Sequence, residues 1–282
     1  MLKKEKYWYI LSAIIVFVLI VVAAIVIIVI TNKNKEKEED TGSELIFTVF
    51  QEGAILYSHK DKYSPVITIP SEVEIDGKVY PVTTISEGAF SMCTKLTDVV
   101  IPVSVKTIGD GAFSQCSKLV NITISEGVKS IGSYAFYGCF SLKNVEIPSS
   151  VEVIKDHAFL ACSGINKMTL PFIGESLTTT NTYLGYLFGA SSYEGNNEYV
   201  PVALKEIVLQ DTCKKINSNA LYGCDRLERI IIPSSVEEIG KNAFSGCTNL
   251  TIYSMAEQQP SGWNSEFNPD ERPVEWSYKK QN

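Results

Sequence analysis

Two patterns of hydrophobic residues divide this chain into a short N-terminal segment and a long repetitive one. Residues Ile10 to Ile30 form 21 consecutive positions in which Ser12 is the sole polar residue. At about 1.5 Å of rise per residue, a helix of this length spans about 30 Å, the hydrocarbon thickness of a bilayer. From Ile85 onward, hydrophobic residues recur with a fixed period of 23. The first pattern predicts a transmembrane helix, and the second predicts a stack of repeated units.

The residues around the apolar run indicate how it is anchored and oriented. Tyr7, Trp8 and Tyr9 precede it, where an interfacial aromatic belt belongs. A cleavable signal peptide is the alternative, although the run is longer than the 7–15 residues of a typical signal core. Three Lys on each side leave the positive-inside rule neutral, so size alone favours translocation of the C-terminal domain. The predicted segments are a cytoplasmic tail (1–9), a signal anchor (10–30) and a polar linker (31–43).

The repeated unit has an internal order that predicts local structure. Its opening isoleucines are Ile85, Ile108, Ile131, Ile154, Ile216 and Ile239. In each unit an Ala-Phe-x-x-Cys stretch has the three- and four-residue spacings of about one helical turn. An alternating stretch such as Val145 to Ile147 follows, which predicts a strand with one buried face, and Pro148 ends it. One unit buries too little apolar surface to fold alone, so the units must stack.

Six of the seven cysteines occupy one column of the repeat. They are Cys93, Cys116, Cys139, Cys162, Cys224 and Cys247. Stacked coils place equivalent Cα atoms about 5 Å apart, so disulfides between neighbouring coils are geometrically possible. Free thiols packed as small apolar residues are the interpretation that we favour, because the column faces inward. No C-x-x-C pair is present, so the spacing matches no zinc pattern.

The motif I-G-x-x-A-F-x-x-C-x-x-L-x-x-V-x-I-P-x-S-V resembles the BspA-like leucine-rich repeat family over roughly residues 64–276. The resemblance implies an α/β leucine-rich-repeat solenoid, with short strands and a one-turn helix in each 23-residue coil. This solenoid would follow the single transmembrane helix. Members of the family are mostly cell-surface or secreted proteins of bacteria and some protists, and the type member is a bacterial surface adhesin. The motif is specific for the fold and says little about any ligand.

Departures from the repeat predict caps and one expanded coil. The predicted regions are an N-terminal cap (44–84), the repeats (85–253) with an expanded unit around 171–203, and a C-terminal cap and tail (254–282). Asp76-Gly77 in the first cap is the signal of a tight hairpin. Insertions in repeat proteins form loops on one face, often the binding face, and Tyr193 and Tyr199 lie there among polar residues. Tyr183, Tyr186 and Phe188 either join that loop or replace the missing Ala-Phe core pair.

The predicted strands also present outward positions that stacking would turn into a continuous stripe. One outward column is Asp98, Asn121, Asn144, Lys167, Glu206 and Arg229. Its neighbour is Val100, Thr123, Glu146, Thr169, Val208 and Ile231. The second column is apolar for an outward row, because β-branched residues suit any sheet surface or because a partner protein binds there. These twelve residues, with Tyr193 and Tyr199, are the candidate partner-binding residues.

Charge and composition exclude several classes of function. The formal net charge is -7, which argues against nucleic acid, because phosphate contacts need clustered Lys and Arg. The two histidines, His59 and His157, give little material for acid–base chemistry, and no nucleophile, phosphate-loop or metalloprotease motif occurs. We therefore expect no cofactor, no metal and no enzyme. The expected partners are a protein or glycoprotein ligand outside the cell and membrane lipid around the N-terminal helix. A self-associating structural component of the cell envelope is the alternative.

Overall fold

A computed structural model describes residues 28–30, 45–59, 62–176 and 178–279. The strands in chain order are β1 (Ile28–Ile30), β2 (Leu45–Phe50), β3 (Gly53–His59), β4 (Val66–Thr68), β5 (Glu72–Ile75), β6 (Lys78–Ile85), β7 (Asp98–Ile101), β8 (Thr107–Ile108), β9 (Asn121–Ile124), β10 (Ser130–Ile131), β11 (Asn144–Glu146), β12 (Val153–Ile154), β13 (Lys167–Leu170), β14 (Glu206–Leu209), β15 (Lys215–Ile216), β16 (Arg229–Ile232), β17 (Glu238–Ile239), β18 (Thr251–Ser254) and β19 (Val274–Glu275). The expanded unit contains two 3₁₀ segments, Leu184–Phe188 and Tyr193–Gly195, and the short helix α1 (Asn196–Tyr199).

The 23-residue period produces a solenoid with three sides. We number its coils 1 to 4 from Ile85, Ile108, Ile131 and Ile154, call the expanded unit coil 5, and begin coils 6 and 7 at Ile216 and Ile239. The strand row contains β4, β7, β9, β11, β13, β14, β16, β18 and β19, with parallel pairing within β4-β7-β9 and from β11 to β19. The second row contains the two-residue strands that begin the coils, such as β8 and β10. The third side is the turn row, formed by the Ala-Phe-x-x-Cys stretches.

The turn row differs from the expected one-turn helix, because its amides alternate between two kinds of acceptor. Ala89, Ser91 and Cys93 donate to carbonyls three residues earlier, at 2.9–3.3 Å. Gly88, Phe90 and Met92 donate instead to the next coil, at 2.7–3.0 Å. Helix propagation requires successive local bonds, which this alternation interrupts. The predicted one-turn helix is therefore wrong, and a row of turns that bond from coil to coil takes its place.

The same alternation requires two left-handed residues in each regular coil. The first slot holds Gly88, Gly111, Tyr134, His157, Asn219 and Asn242, and the second holds Met92, Gln115, Gly138, Ala161, Gly223 and Gly246. Their φ angles lie between 56° and 75°. Glycine and, to a lesser extent, asparagine adopt this conformation readily, whereas other L-residues do so at a cost.

The core is a column of side chains that runs along the solenoid. Phe90, Phe113, Phe136 and Phe159 are fully buried, and their rings stack at centroid distances of 5.0, 5.5 and 5.2 Å. All seven cysteines are free and buried. Four of the column's thiols donate to a carbonyl in the preceding coil at 3.0–3.2 Å, and these are Cys116, Cys139, Cys162 and Cys247. Each thiol thus fills space in its own coil and fixes the distance to the previous one.

The N-terminal cap supplies strands to both rows. In the described chain, β5 and β6 form an antiparallel hairpin whose turn residues Asp76 and Gly77 have φ of 53° and 76°, as the Asp-Gly signal predicts. β4 pairs with β7 in the strand row, and β3 and β6 extend the second row. The solenoid therefore begins before the first recognisable repeat.

The membrane segment lies almost entirely outside the described residues. The tail 1–9, residues 10–27 of the expected helix and the linker 31–43 belong to that part. The last three residues of the expected helix form β1, which pairs antiparallel with β2. A helix that ends at residue 30 is therefore wrong for these three positions, where β-branched residues favour a strand. Within the described ranges, none of the helices is long and apolar enough to cross a bilayer.

Candidate binding surface

The strand row presents its two outward columns with unequal exposure along the solenoid. Asn121, Thr123, Asn144 and Glu146 are exposed in β9 and β11, and Val100 of β7 is 53% exposed. Asp98, Lys167, Thr169, Glu206 and Arg229 are half-buried. Register pairing confirms that equivalent positions are neighbours, as with Asp98 and Asn121 or Lys167 and Glu206. The columns therefore exist as surface features, and their openness declines toward the C-terminal coils.

Two of the candidate residues are not on the surface at all. Val208 is 2% exposed and Ile231 is 3% exposed, so the expectation that both point into solvent is wrong. They are register neighbours, and Tyr253 follows Ile231 in the same column. Directly opposite side chains on one sheet face contact one another, so Ile231 lies between Val208 and Tyr253. Neither residue can contact a partner in this structure, and we remove both from the candidate surface.

An aromatic clamp closes the C-terminal end of the strand row. The Arg229 guanidinium lies 3.9 Å from the Tyr253 ring centroid and 5.1 Å from the Tyr278 ring centroid. It also donates a 2.5 Å hydrogen bond to the Tyr278 hydroxyl. The Tyr278 amide in turn bonds the Ser254 carbonyl at 2.9 Å. Cation–π contact and hydrogen bonding thus engage Arg229 within the protein, so it is not free to recognise a ligand.

Polar members of the first column bond to one another between coils. Asn121 donates to the Asp98 carboxylate at 2.6 Å, and Lys167 pairs with Glu206 at 3.0 Å. Hydrogen bonds from the Thr97 and Asn121 side chains lower the pKa of Asp98, which keeps it ionised. Exposed pairs of this kind add little to the free energy of unfolding.

The exposed surface also includes residues that the repeat pattern did not indicate. Val66 of β4 is 49% exposed and aligns with Asp98, while the exposed Thr68 aligns with Val100. The apolar run of residues 66–69 could have indicated this strand, but the repeat pattern placed it in the N-terminal cap and not in the strand row. We define the N-terminal strand face as the outward residues of β4, β7, β9 and β11, namely Val66, Thr68, Asp98, Val100, Asn121, Thr123, Asn144 and Glu146.

The expanded unit supplies the turn row of coil 5. Leu184, Leu187 and Phe188 are buried, whereas Tyr183 and Tyr186 are half-buried and pack edge to face at 6.1 Å. Burial raises the pKa of Tyr186 to about 12. Of the two alternatives for these residues, core replacement therefore holds for Phe188 and only in part for the tyrosines.

The two outer tyrosines of the expanded unit have different surroundings. Tyr193 packs edge to face on Tyr222 of the turn row at 5.4 Å, and Tyr199 is 41% exposed. Asn196 is fully buried between them, where its side chain accepts from the Gly185 amide at 2.7 Å and donates to the Tyr222 carbonyl at 3.0 Å. Tyr193 thus contacts the turn row, so it is not part of the N-terminal strand face.

The cysteine column contains one unusual member at its N-terminal end. Cys93 is the first cysteine of the column, so its thiol has no phenylalanine backbone carbonyl in a preceding coil to bond. Its sulfur lies 3.9 Å from Nδ1 of His59, which is 3% exposed. A hydrogen bond with the Cys116 thiol, together with the hydrogen bond and charge of His59, lowers the pKa of Cys93. Burial raises the pKa of Cys162 to about 12. Within the described residues, no three His, Cys, Asp or Glu side chains are placed to hold a metal ion.

Comparison with known families settles the class of this solenoid. Residues 82–187 and 195–268, more than half of the chain, match the BspA type leucine rich repeat region in six copies. The chain belongs to the BspA type leucine-rich repeat family. The family resemblance expected from the motif is thereby confirmed. Membership in this leucine-rich repeat family suggests protein–protein recognition, and a solenoid of this class is typically a binding scaffold and not an enzyme.

Solved structures of bacterial leucine-rich repeat proteins are similar to this chain. A leucine-rich repeat protein of T. pallidum is 25% identical, with 77% of this chain and 91% of that chain covered and a TM-score of 0.53. A leucine-rich cell surface protein of Faecalibacterium prausnitzii A2-165 is 27% identical, with 82% and 57% covered and a TM-score of 0.49. No curated protein matches this chain.

Proposed function

We propose that this chain is a cell-surface binding module that recognises a protein or glycoprotein through its N-terminal strand face. The proposal rests mainly on a contrast within the second outward column, where Val100 is 53% exposed and Val208 is 2% exposed. Val66, at 49% exposed, is the register partner of Asp98, so a second exposed valine lies one coil from Val100 on the same face. Exposed apolar groups rimmed by polar residues are typical of protein-binding sites.

The polar rim of this face would give such a contact its specificity. Asp98 and Asn121 are held together at 2.6 Å, next to the exposed Thr123 and Glu146. Side chains that are fixed before binding lose little conformational entropy when a partner docks. The acidic balance of the chain favours a partner whose own contact surface is neutral or basic.

Attachment to a membrane completes the proposal. Residues 10–27 are apolar apart from Ser12 and are long enough to span a bilayer as a helix, and we propose that this segment anchors the solenoid outside the cell. Protease treatment of intact cells should digest the solenoid, and lysis should not be needed. A mature protein that begins after the apolar run would instead indicate a secreted form released by signal cleavage. Digestion that occurs only after lysis would contradict the orientation.

A matched pair of variants tests the proposed binding face. The full chain, purified in detergent, is measured against a panel of extracellular-matrix glycoproteins by surface plasmon resonance. Val100→Asp should weaken binding at least tenfold, because it places a charge in the centre of the contact. Val202→Asp, at a valine that is 66% exposed and lies outside the strand row, should leave affinity unchanged. Equal effects of the two variants, or self-association without any matrix binding, would overturn the proposal.

A further inference from the structure

Two ring side chains occupy left-handed positions on neighbouring coils of the turn row. Tyr134 and His157 have φ of 56° and 59°, in the slot that Gly88 and Gly111 fill in the two preceding coils. Their rings stack with a centroid distance of 4.7 Å and an interplanar angle of 21°. A bulky residue is disfavoured in this conformation, so the structure tolerates strain in order to hold these rings at the surface.

One face of the Tyr134 ring has no side chain opposite it in the equivalent slot of the preceding coil. His157 covers one face, while the next coil on the other side has Gly111, which offers no side chain. A methyl group added to Gly111 would meet Ser114 Cβ at 3.8 Å and no other atom within 4 Å. Tyr137 packs edge to face on Tyr134 at 6.1 Å, and Tyr134 is 41% exposed. We call the recess formed by Tyr134, Tyr137, Gly111 and Ser114 the ring shelf.

The first left-handed slot carries no side chain in the two coils that precede Tyr134. Gly111 and Gly88 both lack side chains in the slot before Tyr134, so the ring faces two coils without an obstructing group in that column. A methyl group on Gly88 would meet Ser91 Cβ at 3.9 Å and nothing nearer. Adjacent parallel strands lie about 4.8 Å apart, so two coils leave about 10 Å beside the ring.

A hydrogen-bonded chain of side chains fixes the ring pair. His157 Nδ1 lies 2.8 Å from Asp156, whose other oxygen accepts from the Ser133 hydroxyl at 2.6 Å. The Ser133 amide donates to Asp110 at 2.9 Å, and Lys155 pairs with the same Asp110 oxygen at 3.2 Å. A platform supported in this way is already in its binding geometry before a ligand arrives.

The charged side chains beside the ring shelf are already ion-paired or hydrogen-bonded to other protein groups. Asp110 is ion-paired with Lys155, and Asp156 accepts hydrogen bonds from Ser133 and His157. An ionic ligand would have to compete with these partners. A neutral ligand with hydroxyl groups can use donors and acceptors of both kinds without breaking an ion pair.

We propose that the ring shelf binds a pyranose unit of a neutral glycan, stacked on the face of the Tyr134 ring that His157 does not cover. The C–H bonds on one face of a pyranose are weakly positive and match the negative face of an aromatic ring. Its equatorial hydroxyls would reach the polar rim at Asp110 and Ser114. This site is in the turn row, on a different side of the solenoid from the N-terminal strand face. Its success or failure is therefore independent of the Val100→Asp test.

The experiment uses saturation-transfer NMR on the full chain in detergent. The probes are the methyl pyranosides of glucose, galactose, mannose and N-acetylglucosamine, with tetramethylammonium as a cationic comparison. Tyr134→Gly should weaken sugar binding at least tenfold and should raise the midpoint of thermal unfolding, because glycine relieves the left-handed strain. Ala161→Gly relieves the same kind of strain at φ 60° without touching the ring shelf, so it should raise the midpoint and leave binding intact.

Each outcome decides the proposal. Saturation transfer to at least one sugar that disappears in Tyr134→Gly and persists in Ala161→Gly supports it. No transfer to any of the four sugars overturns it, and so does transfer that is equal in both variants. Binding of tetramethylammonium alone would overturn the neutral-glycan class. A lower unfolding midpoint for Tyr134→Gly, with binding unchanged, would show that the ring only stabilises the coil.

Discussion

Coils 1–4 and coils 6–7 are built from the same motif and differ in three respects. In coils 1–4 the rings stack nearly parallel, whereas Phe244 of coil 7 meets Phe267 of the cap edge to face at 6.0 Å. In coils 6 and 7 both left-handed slots hold asparagine or glycine, whereas coils 1–4 place other residues there in at least one slot. The strand face is open in coils 1–3 and covered in coils 5 and 6.

The C-terminal coils are the less strained half of the solenoid, and the N-terminal coils are the half with the more exposed strand face. The C-terminal coils have unstrained turns and a strand face closed by the Arg229 clamp. The N-terminal coils keep strained turn residues and an open face. Strained and open regions in one half of a repeat protein are the expected location of binding, because binding sites tolerate local costs that the rest of the fold offsets.

The largest expected effect concerns the stacked phenylalanine rings of the core. Phe113 is fully buried and stacks on a ring at each side, so Phe113→Ala should cost about 3–5 kcal/mol in the free energy of unfolding. Phe244→Ala is the matched change in coil 7, where the ring has a single aromatic neighbour, and should cost about 0.5–1.5 kcal/mol less. Urea unfolding of the full chain measures both. Equal costs would show that stacking adds nothing beyond burial.

The second prediction makes the same valine-to-alanine change in each half of the strand face. Val208→Ala should cost about 1.5–3 kcal/mol, because it removes buried apolar surface. Val100→Ala, in the same column but exposed, should stay within about 0.5 kcal/mol of the wild type. The same urea titration compares them. A costly Val100→Ala would mean that the N-terminal face is covered in solution.

The third prediction concerns pH and should be shared by both halves. Burial raises the pKa of Cys162 and of Cys247 to about 12 from 9.0. The unfolded chain therefore loses these protons first as the pH rises. Each thiol's stabilisation is complete below about pH 9 and is lost between about pH 9 and 12, with a slope of about 1.4 kcal/mol per pH unit per thiol. Cys162→Ala and Cys247→Ala should each reduce the slope of unfolding free energy against pH in this window.

An unchanged slope in both cysteine variants would contradict the assignment of buried, protonated thiols. A change in only one of them would show that the two halves differ in their cores as well as in their surfaces.

The smallest expected effect concerns the left-handed slots. Ala161 has φ 60°, so Ala161→Gly should stabilise the chain by about 0.5–1 kcal/mol, since relief of the left-handed conformation exceeds the entropic cost of glycine. Gly246→Ala, the reverse change at φ 75° in coil 7, should destabilise by a similar amount. Thermal unfolding in parallel measures both. Stabilisation by both changes would contradict the role of these slots.

Much of the fold could be read from the repeat period alone. The columns of Phe, Cys and Leu, the hairpin at Asp76-Gly77 and the register of the strand row follow from spacing. The left-handed slots could also have been found, because Gly88, Gly111, Asn219 and Asn242 occupy the position of Tyr134 and His157. Exposure could not be found in this way, because alternation separates two faces of a strand but says nothing about what lies above the outer one.

The sequence by itself determined the register and the buried columns of the six regular coils, because positions 23 residues apart align when such coils stack. Only the tertiary structure decided which outward residues meet solvent. Val100 and Val208 are the same residue in the same column, yet one is open and the other is buried. Burial depends on neighbours that come from other coils and from the C-terminal cap, and no local pattern encodes them.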